Sequence, residues 1–191
     1  QEFDNPFRHD GAKTIAYEVA ERLDWSVPDW VVVPVSTGEL AYGVYKGFAD
    51  LVELGLVESV PKLVAAQSVG CSPVATAWEA DSDAHEAWNQ PDTIVGELEI
   101  PDPAGGSLAL RAVRESGGAA VAVSDDDALE SAVTAAQTVG VEVGPAGGVA
   151  LAGAWELADE FDEDDTVVVV NTESGTKNAD ILRSHLMGQG V

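Results

Sequence analysis

Apolar positions near the start of the chain recur every three to four residues and then give way to an unbroken run. Ile15, Val19 and Leu23, with Ala16 and Ala20 beside them, lay one apolar stripe along residues 11–24, the spacing of an amphipathic helix. Residues 29–36 read Asp-Trp-Val-Val-Val-Pro-Val-Ser. They are largely β-branched and lack polar alternation, which predicts a strand covered on both faces and central in its sheet. After a turn from Ser36 to Glu39, Leu40, Val44, Phe48 and Leu51 return to helical spacing, and Pro61 precedes a second apolar run, Leu63 to Ala66.

The alternation continues. Residues 73–88 read as a helix with an acidic centre, residues 91–104 as a proline-containing connection, and residues 107–116 as a helix stopped by Gly117-Gly118. Ala119 to Val123 is the next strand. Ser124 then caps a helix whose first turn holds Asp125, Asp126 and Asp127, where carboxylates meet the positive end of the helix dipole. Residues 141–143 form a brief extended stretch and residues 147–161 a helix, while Thr166 to Val170 is expected to be a buried strand. Helices alternating with strands predict an α/β fold, a three-layer αβα domain with a mainly parallel sheet. A length of 191 residues fits one such domain. The acidic run from Asp159 to Asp165 lacks the glycine and the alternate ligand spacing of a calcium loop, and reads as a solvated helix end.

Composition narrows the function classes. Hydrophobic residues make up 46% of the chain, enough for a sizeable core and too many for a disordered protein. Nine Lys and Arg against 34 Asp and Glu leave a net charge of −25, which argues against nucleic acid or an anionic membrane surface as partner. Such a surface suits high salt, where screening confines carboxylate repulsion to a few ångströms, and points to a halophilic protein. The single cysteine, Cys71, excludes an intrachain disulfide framework and fits a cytoplasmic chain. No apolar run approaches the ~18 residues of a membrane span. The sequence starts at Gln1 and its only methionine is Met187, so further sequence upstream is expected.

Ligands of open parallel sheets bind beyond the carboxyl ends of strands, so the loops after Val35, Gln67, Val123 and Val170 are the places to look. Ser36-Thr37-Gly38-Glu39-Leu40 joins a buried strand to a helix and offers hydroxyls and backbone amides to an anion, a phosphate above all. The same residues also serve a plain capped helix. Asn171-Thr172-Glu173-Ser174-Gly175-Thr176-Lys177 follows the last strand, and there Thr172 reads either as a ligand group or as a strand-ending hydroxyl with a local backbone bond. His9, His85 and His185 are too scattered for a metal site and read as surface residues or local donors. Cys71 reads as a buried inert thiol, and the five tryptophans read as core or interface anchors.

Together these stretches carry a resemblance. Asn5-Pro6-Phe7-Arg8-His9-Asp10-Gly11-Ala12-Lys13-Thr14 with the strand from Pro28 to Val35 is similar to a landmark of threonine synthases. Val44 to Phe48, Lys62 to Gly70, Arg114 to Gly118, Val123 to Asp125 and Gly144 to Gly148 resemble later landmarks in the same order. The chain resembles the pyridoxal-phosphate enzymes of the tryptophan-synthase-beta fold, threonine synthase branch, from Asn5 to about Lys177. The resemblance implies pyridoxal phosphate as cofactor and a phosphorylated amino acid, O-phosphohomoserine, as a substrate that is converted with water to threonine and phosphate. It places the cofactor phosphate at Ser36, Thr37, Gly38, Glu39 and Leu40, and the ring nitrogen at Thr172. It gives Arg8 and Thr37 to the substrate phosphate. No lysine here occupies the family's Schiff-base setting, so the chain is expected to correspond to the C-terminal large domain. An N-terminal half would complete it, and that half or a homodimer partner is the expected protein partner. Glu39 and Glu173 stand where the family has small residues, which keeps open a non-catalytic relative that binds a phosphorylated amino acid or a partner subunit.

Overall fold

The computed structural model describes residues 5–188. Asn5 opens the first helix by accepting a hydrogen bond from the Phe7 amide, and Pro6 follows with no amide to satisfy. Helix α1 (Pro6–Arg22) therefore starts upstream of its apolar stripe. The chain continues through β1 (Trp30–Pro34), α2 (Glu39–Glu53), β2 (Lys62–Ser68), α3 (Pro73–Glu79), α4 (Gly106–Glu115) and β3 (Ala119–Val123). It closes with α5 (Asp125–Val139), α6 (Pro145–Glu156), β4 (Val167–Val169) and α7 (Ala179–Gly188).

The strands lie in the order β3-β2-β1-β4, and every pairing is parallel. Trp30 sits opposite Lys62 on one side and Val167 on the other. The unbroken apolar run of β1 is buried throughout because the strand is central, as its pattern predicts. One core cluster, including Val31, Val33, Phe48, Leu63 and Leu110, lies between the sheet and the α1–α4 side. The other, including Val32, Val64, Ala66, Val149 and Ala150, lies between the sheet and α6, over which α5 packs. These are the three layers expected for alternating α and β elements.

Several boundaries differ from the periodicity. The last strand is not fully buried as expected: β4 is a sheet edge, paired only with β1, and its valines are half-buried. The helix expected over residues 73–88 ends at Glu79. Beyond it the acidic segment takes local partners instead: Asp81 adopts φ 50° and Ser82 bonds to Ala84, while Arg114 pairs with Asp81 and Asp83. The helix expected over residues 147–161 is shifted, because Pro145 supplies its first turn and only a single 3-10 turn follows Glu156. Residues 141–143 join no strand ladder. Trp30 is a core anchor, but Trp25 and Trp155 are exposed.

Candidate functional site

The connections from β1 to β2 to β3 step across the sheet in one direction, with α2, α3 and α4 on one face. The chain then crosses to the other face through α5 and α6 and returns β4 to the far side of β1. The carboxyl ends of β1 and β4 are thus a topological switch point, where a doubly wound sheet opens a crevice. Pro34 helps it open. Alternate residues of β1 face β4, with the Trp30 amide donating to Thr166 and the Val32 carbonyl accepting from Val170. Pro34 is next in that series and has no N–H to give. The ladder stops there, and the two chains part around a cleft of about 260 Å³.

One wall of the cleft comes from Ser36, Thr37, Gly38, Leu40 and Ala41. Gly38 caps α2 with φ 87°, a left-handed conformation suited to glycine. A Cβ there would come within 2.5 Å of the Gly105 carbonyl oxygen, and the Gly105 amide donates to the Thr37 carbonyl at 2.9 Å. The turn is therefore clamped against the start of α4. The first helical hydrogen bond of α2 runs from the Tyr42 amide to Gly38, so the first-turn amides lie ahead of the ladder, as an anion requires. Glu39 does not line the cleft. Its carboxylate turns to Arg8, whose Nε lies 3.0 and 3.2 Å from the two oxygens. Arg8 stands outside the cleft as well.

The opposite wall carries Thr172, Glu173 and Lys177, with Glu97, Leu98 and Ala146 completing the lining. Asn171 fixes this strand end by donating to the Glu142 carbonyl and accepting from the Glu173 amide. Glu173 is buried, and its carboxylate accepts from the Ala146 amide at 3.2 Å and from the Asn178 side chain. Lys177 lies 3.1 Å from Glu97 and 3.7 Å from Glu173. Burial pushes the Glu173 carboxyl above the usual range, and neighbouring Glu97 adds to the shift. A hydrogen bond from its own backbone, aided by Lys177, holds Glu97 below that range, while Glu97 holds the Lys177 ammonium up.

Of the residues singled out from the sequence, Ser36, Thr37, Gly38, Leu40 and Thr172 share this cleft, whereas Glu39 and Arg8 pair with each other outside it. Sequence reasoning passed over Glu97, which arrives from a connection without any local signal. It also passed over Gln67, a fully buried brace. The Gln67 side chain donates to the Val35 carbonyl and accepts from the Val74 and Ala75 amides, tying the end of β1 to the start of α3. Cys71 is buried and burial raises its thiol. His85 takes the local-partner alternative rather than the surface one: its ring is largely enclosed and lies 3.1 Å from Asp102. Among the described residues, no group of three or more His, Cys, Asp or Glu could hold a metal, and no helix is long and apolar enough to cross a membrane.

A doubly wound parallel sheet with an anion-suited turn at its switch point defines an α/β domain built to hold a phosphorylated ligand. The chain belongs to the family described as pyridoxal-phosphate dependent enzyme, which matches residues 1–173. It is 34% identical over 178 residues to the threonine synthase of Methanocaldococcus jannaschii, covering 92% of this chain and 44% of that protein. Against the threonine synthase of Methanosarcina acetivorans it is 36% identical over 170 residues, covering 88% and 42%. The chain thus spans less than half the length of these relatives. Its fold is shared with the processed form of threonine deaminase isoform 2 from Solanum lycopersicum, at a TM-score of 0.74 and 16% identity over 95% of this chain and 50% of that one. A fungal L-serine ammonia-lyase from Rhizomucor miehei gives a TM-score of 0.70 and 22% identity over 92% and 56%. The fold is that of the tryptophan-synthase-beta-like enzymes.

Pyridoxal phosphate is the cofactor this membership assigns, and the cleft fits it. Its lining joins the clamped turn at Gly38, with its first-turn amides and the hydroxyl residues Ser36 and Thr37, to apolar Val35, Leu98 and Ala146, and the Glu39 carboxylate is turned aside.

Proposed function

We propose that this chain is the cofactor-holding large domain of a cytoplasmic, salt-adapted threonine synthase that converts O-phosphohomoserine and water to threonine and phosphate. One observation carries the reading: Ser36, Thr37, Gly38 and Leu40 of the turn after β1 line a single cleft together with Thr172 from the end of β4. Pyridoxal phosphate, when bound, supplies an electron sink for chemistry at the amino-acid carbons. The domain's own residues hold and orient. Ser36, Thr37 and the α2 amides bind the cofactor phosphate, and Gly38 allows the backbone approach that this needs. Thr172 meets the ring nitrogen, and Thr37 also reaches the substrate phosphate. The lysine that anchors the cofactor comes from an N-terminal half. Lys177, the lysine in the cleft lining, sits on the Thr172 side and is engaged by Glu97.

The Arg8–Glu39 pair favours a second reading. An arginine held by a carboxylate is withdrawn from the substrate phosphate, which suits a non-catalytic relative that binds a phosphorylated amino acid or a partner subunit. Mixing the purified chain with a lysine-bearing N-terminal half of a threonine synthase and pyridoxal phosphate separates the two. Phosphate released from O-phosphohomoserine by the pair, and by neither part alone, supports the enzyme. Cofactor bound by the pair without phosphate release supports the non-catalytic relative.

A further inference from the structure

The connection from α3 to α4 supplies Glu97 and Leu98 to the cleft and ends on Gly105, whose amide donates to the Thr37 carbonyl and whose own carbonyl lies over Gly38. Two bonds fasten the ends of this connection together: the Trp88 amide donates to the Pro101 carbonyl at 2.7 Å, and His85 Nε2 lies 3.1 Å from an Asp102 carboxylate oxygen. The His85 side chain is only 11% exposed. It rests on Gly106, the first residue of α4, where a Cβ would come within 2.6 Å of Nδ1 and 2.8 Å of Cε1. Nδ1 is enclosed and has no hydrogen-bond partner among the described residues. A buried polar atom left so needs a physical reason. Asp102 supplies one: its carboxylate accepts from Nε2–H, so in the neutral ring Nδ1 carries a lone pair. Helix α4 has no side-chain cap, and a lone pair set against its first residue meets the positive pole of the helix dipole.

Resting on the cofactor reading above, we infer that His85 is a positioning residue for the cofactor phosphate: its ring, oriented by Asp102, seats the Gly105–Gly106 end of α4 against the turn at Gly38. His85 does not line the cleft, and its effect passes through two glycines. Gly106 lets the helix start come down onto the ring because it has no side chain, and Gly105 carries that placement to Thr37 through one backbone hydrogen bond. The turn that is proposed to take the phosphate is thereby ordered before the ligand arrives. Without the ring the start of α4 loses its seat, the Gly105 amide opens to exchange, and the turn has to be ordered on binding, at the expense of affinity.

Two measurements on the intact chain test this: hydrogen exchange of the Gly105 amide without ligand, and the dissociation constant of pyridoxamine phosphate, a form that needs no lysine. In His85→Ala the Gly105 amide is expected to exchange about fivefold faster and the ligand to bind about fivefold more weakly, the net worth of one hydrogen bond, while the amides of β1 keep their wild-type rates. Asp102 is exposed. Asp102→Ala is expected to move both readings the same way by a smaller factor, and Asp102→Asn, which keeps an acceptor for Nε2–H, to restore them. If His85→Ala does not fold, the two Asp102 variants carry the test. Unaltered Gly105 exchange in the alanine variants, faster exchange with wild-type affinity, or exchange that rises equally in β1 overturns the positioning role and leaves the cofactor reading standing. A wild-type chain that does not bind pyridoxamine phosphate overturns both.

Discussion

Arg8 and Glu39 meet across the α1–α2 pair, with the Arg8 Nε 3.0 and 3.2 Å from the two carboxylate oxygens. The pair draws a carboxylate away from the turn that the cofactor phosphate is proposed to occupy. Arg8→Ala is therefore expected to weaken binding of pyridoxamine phosphate by up to about fivefold, and adding Glu39→Gln should restore it. The ceiling follows from the exposure of Arg8, since such pairs are worth up to about 1 kcal/mol. Titration of the single and double variants by calorimetry checks the order of affinities. Equal affinity in wild type and Arg8→Ala would refute the role.

Gly38 allows little substitution. Alanine would have to hold φ near 87° while its Cβ pressed on the Gly105 carbonyl. Gly38→Ala is expected to cost about 1–3 kcal/mol in urea denaturation and to abolish detectable binding of phosphate ligands. Gly55→Ala is the control: it too has positive φ, but there a Cβ would meet nothing within 4 Å. It should carry only the conformational part of the cost.

The buried Glu173 makes a signed prediction about pH. Its folded-state carboxyl is raised by burial, whereas the unfolded chain titrates near about 4.3. Between those values the native state holds the proton that the unfolded state has released, so the Glu173 contribution to stability falls as pH rises. Glu173→Gln removes that fall. The stability of the variant relative to wild type should therefore improve as the pH is raised from about 4 through the folded-state value. Urea midpoints at fixed salt measure it, and a difference independent of pH would contradict the raised carboxyl.

Net charge makes a prediction about salt. At −25 the folded chain repels itself. Raising the salt from about 0.1 M to 1 M shortens the screening length from about 10 Å to 3 Å, so the melting temperature should climb over that range. A melting temperature unchanged or lowered in sodium chloride would count against a surface adapted to salt.

The sequence pattern was most informative where burial and periodicity coincide. Val31 to Val33 identify a central strand because no polar residue interrupts them, and Asn5-Pro6 and Ser124 are caps whose chemistry is local. Val167 to Val169 look the same as Val31 to Val33 in sequence yet form the edge. Alternate valines of the last strand pack into the two cores, so both faces are apolar while one set of backbone groups stays open. Strand order is a property of the assembled sheet, and no run of residues encodes it locally. The candidate site divides in the same way. The turn at Gly38 and the hydroxyl of Thr172 were legible because each follows a strand. The shared cleft depends on β4 returning beside β1. The turning of Glu39 to Arg8 depends on two helices packing, and Glu97 is delivered by a loop with no periodicity.

The most direct measurement is a map of backbone amide chemical shifts as pyridoxal phosphate is titrated into the 15N-labelled chain at high salt. The account predicts saturable shifts concentrated on Thr37, Gly38, Leu40 and Ala41 at one wall and on Thr172 and Glu173 at the other, all moving with a single affinity. Shifts scattered over the surface, or confined to one wall, would contradict the claim that these two turns form one cofactor site.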